Sequence, residues 1–334
     1  MTREQAGDPA ALHWDPISLA EIAAARERLR GVVLRTPLVP LDAESDAGDG
    51  REVFIKLENL QPVRSFKLRG AYNAMAKIGR AGLPEGVWTA SSGNMAQAVS
   101  WSARALGVPA TVYMPEHVPR IKVENVRRYG GTPVKLPAHD LSQIYLARAH
   151  PGAPGRFIHP YSDPDVMAGH GVIGLELLED LPEVDAVIVP FGGGGLICGI
   201  ASALRELRPK VKIFASEMDT GAPFAPSLAA GHPVEVAFTP SFADGISDAF
   251  VNPEMLDLAK DLVDGSIVVS REQTAAAARL VMERNRVIPE GAAATAVAAA
   301  LTGQAGGGKV VCILSGGNID TQTLLTILRG ETPN

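Results

Sequence analysis

Cysteine is nearly absent from this chain: 334 residues carry only Cys198 and Cys312. The two stand far apart, each inside an apolar run, so they offer neither a disulfide framework nor a zinc cluster. Core filling is the role left to them. Strong charge of either sign is missing too, since the formal net charge is −6. Nothing in that balance favours nucleic acid or an anionic membrane as partner. No apolar run approaches the ~18 residues of a membrane span, and the polar, acidic opening MTREQAGDPAALHWDP lacks a signal-peptide core. A cytoplasmic protein is expected. The histidines, His159 and His170 among them, have no metal-ligand spacing. No repeat of 20–50 residues and no low-complexity linker is present.

What is there is an ordinary globular composition, 46% apolar with 34 glycines and 25 prolines spread along the chain. The length predicts two packed lobes. Short apolar runs at 53–57, 86–89, 110–113, 132–135, 186–190, 211–215, 266–269 and 309–314 read as strands. Helix-like segments lie between them, at 95–106, 121–128, 172–178, 197–207, 273–285 and 292–301. The run VDAVIVPF is apolar throughout, as a strand covered on both faces must be. The alternation predicts an α/β protein with parallel sheets and crossover helices. Units within 86–160 form one lobe in this reading, and a ligand sits between the lobes at the carboxyl ends of strands.

Three segments carry chemistry. Gly192, Gly193, Gly194 and Gly195 follow the strand ending at Pro190-Phe191 and precede a helix beginning near Ile197. Glycine amides at a helix N-terminus suit a phosphate. A nicotinamide-nucleotide loop is tempting, because Glu217 ends the next strand where a ribose-binding acid would fall. No triplet obeys G-x-G-x-x-G, however, since Leu196 stands two after Gly194, and no GK[ST] follows for a P-loop. Lys67 lies in Ser-Phe-Lys-Leu-Arg-Gly, residues 65–70, between apolar neighbours. On a surface it would be unremarkable beside Arg69. In a partly apolar cleft it sheds its proton more readily, as imine formation with an aldehyde requires. With two small polar turns, Ser91-Ser92-Gly93-Asn94 and Ser315-Gly316-Gly317-Asn318, these are the parts that hold pyridoxal phosphate.

The string KLENLQPVRSFKLRGAYN, followed in order by SSGN, GGGGL and LSGGN, resembles the fold-type II pyridoxal-phosphate enzymes, most closely the threonine/serine dehydratases and serine racemase. The similarity runs from about Ile17 to Leu328 and includes Arg35-Thr36-Pro37-Leu38. It implies a two-lobed fold like that of tryptophan synthase β, with parallel sheets covered by helices on both faces. The large cofactor-binding domain would comprise 1–80 and 163–334, the small domain 81–162. Lys67 would carry the cofactor and shuttle protons, Phe66 would pack on its ring, and Asn94 would bond its 3′-oxygen. Gly192, Gly193, Gly194, Gly195 and Leu196 would hold the phosphate. Ser315 would face the pyridine nitrogen, where a neutral hydroxyl suits β-elimination over transamination. Ser91, Ser92 and Gly93 would border the substrate. Ser92 is either a second acid/base, as in racemases, or a hydroxyl capping the following helix.

Departures from the family pattern bear on the substrate. Met95 stands where SSGN is usually followed by histidine, and Gly169-His170-Gly171-Val172 replaces Gly-Gln-Gly-Thr. No cation occupies 140–143, where racemases carry a carboxylate-binding arginine. Asp248, in the loop 243–248, takes the place of a small neutral residue or serine and is expected to meet a substrate ammonium. Glu217, with a carbonyl near Gly221, resembles a mono- or divalent cation site, although Pro223 replaces its second acid. The chain stops at Asn334, soon after the last helix-like segment, so feedback control by an added C-terminal domain is not expected.

The expected function is β-elimination from a threonine- or serine-like 3-hydroxy amino acid, giving a 2-keto acid and ammonia. Rival readings are a dehydratase of a basic 3-hydroxy amino acid, as in hydroxyectoine breakdown, a serine racemase-like isomerase, and a non-catalytic pyridoxal-phosphate carrier. Family analogy implies a homodimer, and the small-molecule amino-acid substrate is the one partner foreseen.

Overall fold

The computed structural model describes residues 12–42, 50–246 and 248–334. Its strands are β1 (Leu38–Pro40), β2 (Arg51–Lys56), β3 (Val87–Ala90), β4 (Ala110–Pro115) and β5 (Thr132–Leu136), then β6 (Arg156–Phe157), β7 (Ala186–Pro190), β8 (Lys212–Met218), β9 (Gly265–Val269) and β10 (Gly308–Ile313). The helices up to mid-chain are α1 (Leu19–Leu29), α2 (Lys67–Ile78), α3 (Asn94–Leu106), α4 (Arg120–Arg128), α5 (Ala138–Ala147) and α6 (Pro164–Asp180). Those after it are α7 (Gly195–Leu207), α8 (Phe224–Ala230), α9 (Pro253–Lys260), α10 (Arg271–Leu280), α11 (Gly291–Leu301) and α12 (Thr321–Leu328).

Two sheets form, in the orders β1-β2-β10-β7-β8-β9 and β5-β4-β3-β6. Every ladder is parallel except β1 with β2. The α/β reading therefore holds, with one antiparallel edge. Strand β1 escaped the sequence reading because it is three residues long and ends in a proline, which only an edge tolerates. Strand β7 falls where the apolar run placed it and is buried at every residue.

Helix α6 extends well beyond the segment 172–178 foreseen for it, capped by the Asp163 carboxylate. Three glycines disguised it, and packing explains them. A Cβ at Gly169 would stand 2.4 Å from the Arg69 carbonyl oxygen, and one at Gly171 would stand 2.9 Å from that of Gly199. A Cβ on Gly199 would reach the Met167 carbonyl at 2.3 Å. Helices α2, α6 and α7 thus meet backbone to backbone, bringing the start of α2 beside the start of α7.

An ion network pins α2 in place. Arg69 is fully buried, with 2.8 Å bonds to both oxygens of Glu58 and bonds of 2.8 and 2.9 Å to Glu176. Buried Lys56 reaches Glu176 at 2.7 Å. Charges out of water persist only when paired this fully.

Candidate active site

Lys67 is the first residue of α2, and the loop before it is stitched to the turn after β10. The Phe66 amide donates to the Ser315 carbonyl at 3.0 Å, and the Gly317 amide to that of Arg64 at 2.9 Å. Arg64 adopts φ 61°, a left-handed conformation that costs a non-glycine residue energy and recurs at functional sites. The Lys67 amine donates to the Pro160 carbonyl and lies 5.1 Å from the Phe66 ring centroid. Burial lowers its pKa to about 8, against the opposing pull of Glu290.

The glycine loop joins β7 to α7. Gly194 has φ +84°, which glycine adopts freely. A Cβ on Gly193 would lie 2.2 Å from the Tyr161 ring, and one on Gly192 would lie 2.6 Å from the Gly245 carbonyl. Among the described residues, the amides of these four glycines donate to no carbonyl. They gather at the positive end of a 13-residue helix. Leu196 contributes backbone only, its side chain lying in the large core. Behind the loop, fully buried His170 donates from Nδ1 to the Gly195 carbonyl at 3.3 Å and sets its ring edge against Phe66, centroids 4.8 Å apart. Burial first, then the Lys67 charge, holds its pKa well below the ordinary histidine value.

Asn94, at the start of α3, donates to Glu290 Oε1 at 2.8 Å and accepts from the Asn318 side chain at 2.8 Å. Glu290 Oε2 receives the Asn318 amide at 3.1 Å. Burial pushes the Glu290 pKa up to about 7, with the Asn94 bond opposing. Sequence reasoning passed over Glu290. The one available signal was an acid immediately before a long alanine-rich helix, a pattern that reads as an N-cap. Its side chain makes no cap bond. Ser315 is 2% exposed, and its hydroxyl has no partner among the described residues.

At the start of α3, Ser91 Oγ accepts from the Gly93 amide at 3.2 Å. No side chain caps this helix, so the capping role considered for Ser92 is not realised, and the Ser92 hydroxyl stays available to the cleft. The amides of Asn94, Met95 and Ala96 bond no carbonyl, a second helix-end site for an anion. The Met95 thioether, 2% exposed, belongs to the core shared with Met75 and Val99 and is not a substrate-facing group. Asp248 lies on the cleft lining, its Oδ1 accepting from the Ala249 amide at 2.8 Å; Ser247 beside it lies outside the described residues.

Glu217 and Gly221 are absent from that lining. The Glu217 carboxylate accepts from the Phe224 amide at 2.7 Å, the Ala225 amide at 2.9 Å and the Ser266 hydroxyl at 2.6 Å. It caps α8 with both oxygens, so the cation reading of Glu217 and Gly221 does not fit this arrangement. Among the described residues no three acids, histidines or cysteines gather into a metal-holding group.

Lys67, Ser91, Ser92, Gly93, Asn94, the four glycines, Asp248, Glu290 and Ser315 thus share one cleft of about 1600 Å³. These groups fit pyridoxal phosphate. The four unpaired glycine amides suit its phosphate, Lys67 its aldehyde, the Ser315 hydroxyl its ring nitrogen and Asn94 its phenolic oxygen.

Comparison with known proteins agrees. The pattern of the pyridoxal-phosphate dependent enzyme family matches residues 29–316. An L-threonine ammonia-lyase of Geobacter sulfurreducens is 42% identical over 311 residues, covering 92% of this chain and 77% of that protein. The L-threonine ammonia-lyase of Thermotoga maritima is 38% identical over 315 residues, covering 93% and 78%. Among solved structures, maize serine racemase superposes with TM-score 0.85 at 34% identity, covering 94% of this chain and 97% of that one. Threonine deaminase isoform 2 from Solanum lycopersicum gives 0.82 at 33%, covering 93% and 86%.

Proposed function

The chain belongs to the pyridoxal-phosphate dependent enzymes, and from that premise we propose that it is an ammonia-lyase of the threonine and serine dehydratase type. One observation carries this reading. A lysine with a depressed pKa lies in the same cleft as two helix N-termini whose amides are unpaired. One terminus suits the cofactor's phosphate, the other an amino acid's carboxylate. When bound, pyridoxal phosphate supplies an aldehyde for the substrate amine and an electron sink for the α-carbon. The chain's own groups do the rest. The α7 amides and the loop glycines hold the phosphate, and the α3 amides orient the carboxylate. Lys67 with a pKa near 8 removes the α-proton near neutrality. The β-hydroxyl leaves as water, and the released enamine takes up water to give a 2-keto acid and ammonia.

A second reading, racemisation, is favoured by the uncapped Ser92 hydroxyl, which could return a proton to the face opposite Lys67. Retention of cofactor without turnover is the remaining rival. We also propose that the chain divides into 1–80 with 163–334 and 81–162, and that it works as a cytoplasmic homodimer. The first part of that proposal is supported by a four-stranded sheet drawn wholly from 87–157. Among the described residues no helix is long and apolar enough to cross a membrane.

The deciding experiment is ammonia release by the cofactor-loaded protein given L-threonine or L-serine. Ammonia with the matching 2-keto acid is the expected result. Exchange of the α-hydrogen with inversion and no ammonia would select the racemase, and silence would select the carrier.

A further inference from the structure

The wall of the cleft beyond Lys67 is polar in an uneven way. It begins at Tyr161, the residue after the Pro160 carbonyl that holds the lysine amine, and continues through Tyr145, Asp248 and Asn252. The Tyr145 hydroxyl donates to the Ala90 carbonyl at 2.6 Å, so its oxygen faces the cleft with lone pairs only. The Tyr161 oxygen accepts from Asn252 Nδ2 at 3.1 Å. Burial raises the pKa of both phenols, and the Asp248 charge raises each further, which places that carboxylate against both rings.

Neighbouring acids have cations and Asp248 has none. Asp244, four residues earlier, pairs with Lys122 at 2.8 Å, and Glu254 pairs with Arg148 at 3.2 Å. Only backbone amides hold Asp248, and no lysine or arginine stabilises its charge. A partly buried carboxylate beside an acceptor-only phenol oxygen lacks a cation that the chain does not supply.

Resting on the ammonia-lyase reading above, we propose that Asp248 selects amino acids whose side chain ends in an ammonium group, such as a 3-hydroxy-2,4-diamino acid. Tyr145 would accept a second of the three ammonium protons. A methyl group in that place, as in threonine, leaves the carboxylate facing carbon.

The test compares binding of L-2,4-diaminobutyrate with that of L-2-aminobutyrate by the cofactor-loaded protein. Neither carries the hydroxyl that elimination requires, so the change in the cofactor's visible absorption reads binding alone. The diamino acid is expected to bind at least about tenfold tighter, the scale of one charge-assisted hydrogen bond. The ratio is expected to fall towards one in D248N. Equal binding by the wild type, or a preference that survives D248N, overturns the proposal. D248S replaces D248N in the comparison if the amide variant does not retain cofactor. Ammonia release from threonine or serine is measured separately, so silence there sinks the lyase reading while the binding ratio still judges Asp248.

Discussion

Two helix starts face each other across this cleft, and they are built to opposite specifications. At α7 the chain is crowded. A Cβ on Gly193 would sit inside the Tyr161 ring, and one on Gly195 would stand 2.6 Å from the Tyr161 carbonyl oxygen. At α3 the corresponding glycine, Gly93, has nothing within 4 Å of where a Cβ would stand, and only the Ser91 hydroxyl braces the turn. Both ends present unpaired amides to an anion. The crowded end is shaped for one unchanging guest, a phosphate, while the open end has room for a guest that arrives and leaves.

The group between the two ends gives the largest expected effect. Replacing Lys67 with alanine is expected to abolish the cofactor's lysine-dependent visible band and to cut turnover by at least about 10⁴-fold. A band and a reducible link that survive in that variant would mean another lysine does the work.

The glycine pair tests the contrast itself. Gly193→Ala drives a methyl into the Tyr161 ring and is expected to weaken cofactor binding by about a hundredfold, on the scale of overpacking a tight site. Gly93→Ala is expected to leave cofactor affinity within a few-fold and to act chiefly on KM. Equal losses at the two positions would erase the distinction between crowded and open ends. Equilibrium dialysis against pyridoxal phosphate, with steady-state kinetics, reads both.

The smallest effect is a matter of pH. Only the neutral lysine attacks an aldehyde, and the folded Lys67 pKa is depressed from 10.5 to about 8. Capture of pyridoxal phosphate by the emptied protein is therefore expected to accelerate about tenfold per unit up to about pH 8 and to level off above it. A plateau reached only near 10.5 would show a lysine that is not desolvated. The same depression makes stability rise with pH between about 8 and 10.5, because there the unfolded chain holds the extra proton.

Much of this was legible in the chain. Lys67 and the four glycines announce themselves through local pattern, because a glycine run between strand and helix has few other uses. What stayed hidden depends on contacts between distant segments. Glu290 becomes a functional acid only by meeting Asn94, 196 residues away, and Asn318. Met95 was expected to face the substrate, yet the first turn of α3 rotates its side chain into the core. Glu217 was read as an ion ligand because nothing in its own sequence neighbourhood reveals that α8 begins against it.

The glycine contacts among α2, α6 and α7 bear on how such a protein can diversify. At Gly169, Gly171 and Gly199 the atom a new Cβ would strike first belongs to the main chain, which cannot swing aside as a side chain does. No compensating change in a neighbour's side chain makes room there. Descendants of this sequence inherit the junction whole, with the lysine and the phosphate loop riding on it. Novelty is left to positions such as Asp248 and Tyr145, where altering what is recognised need not disturb what is held.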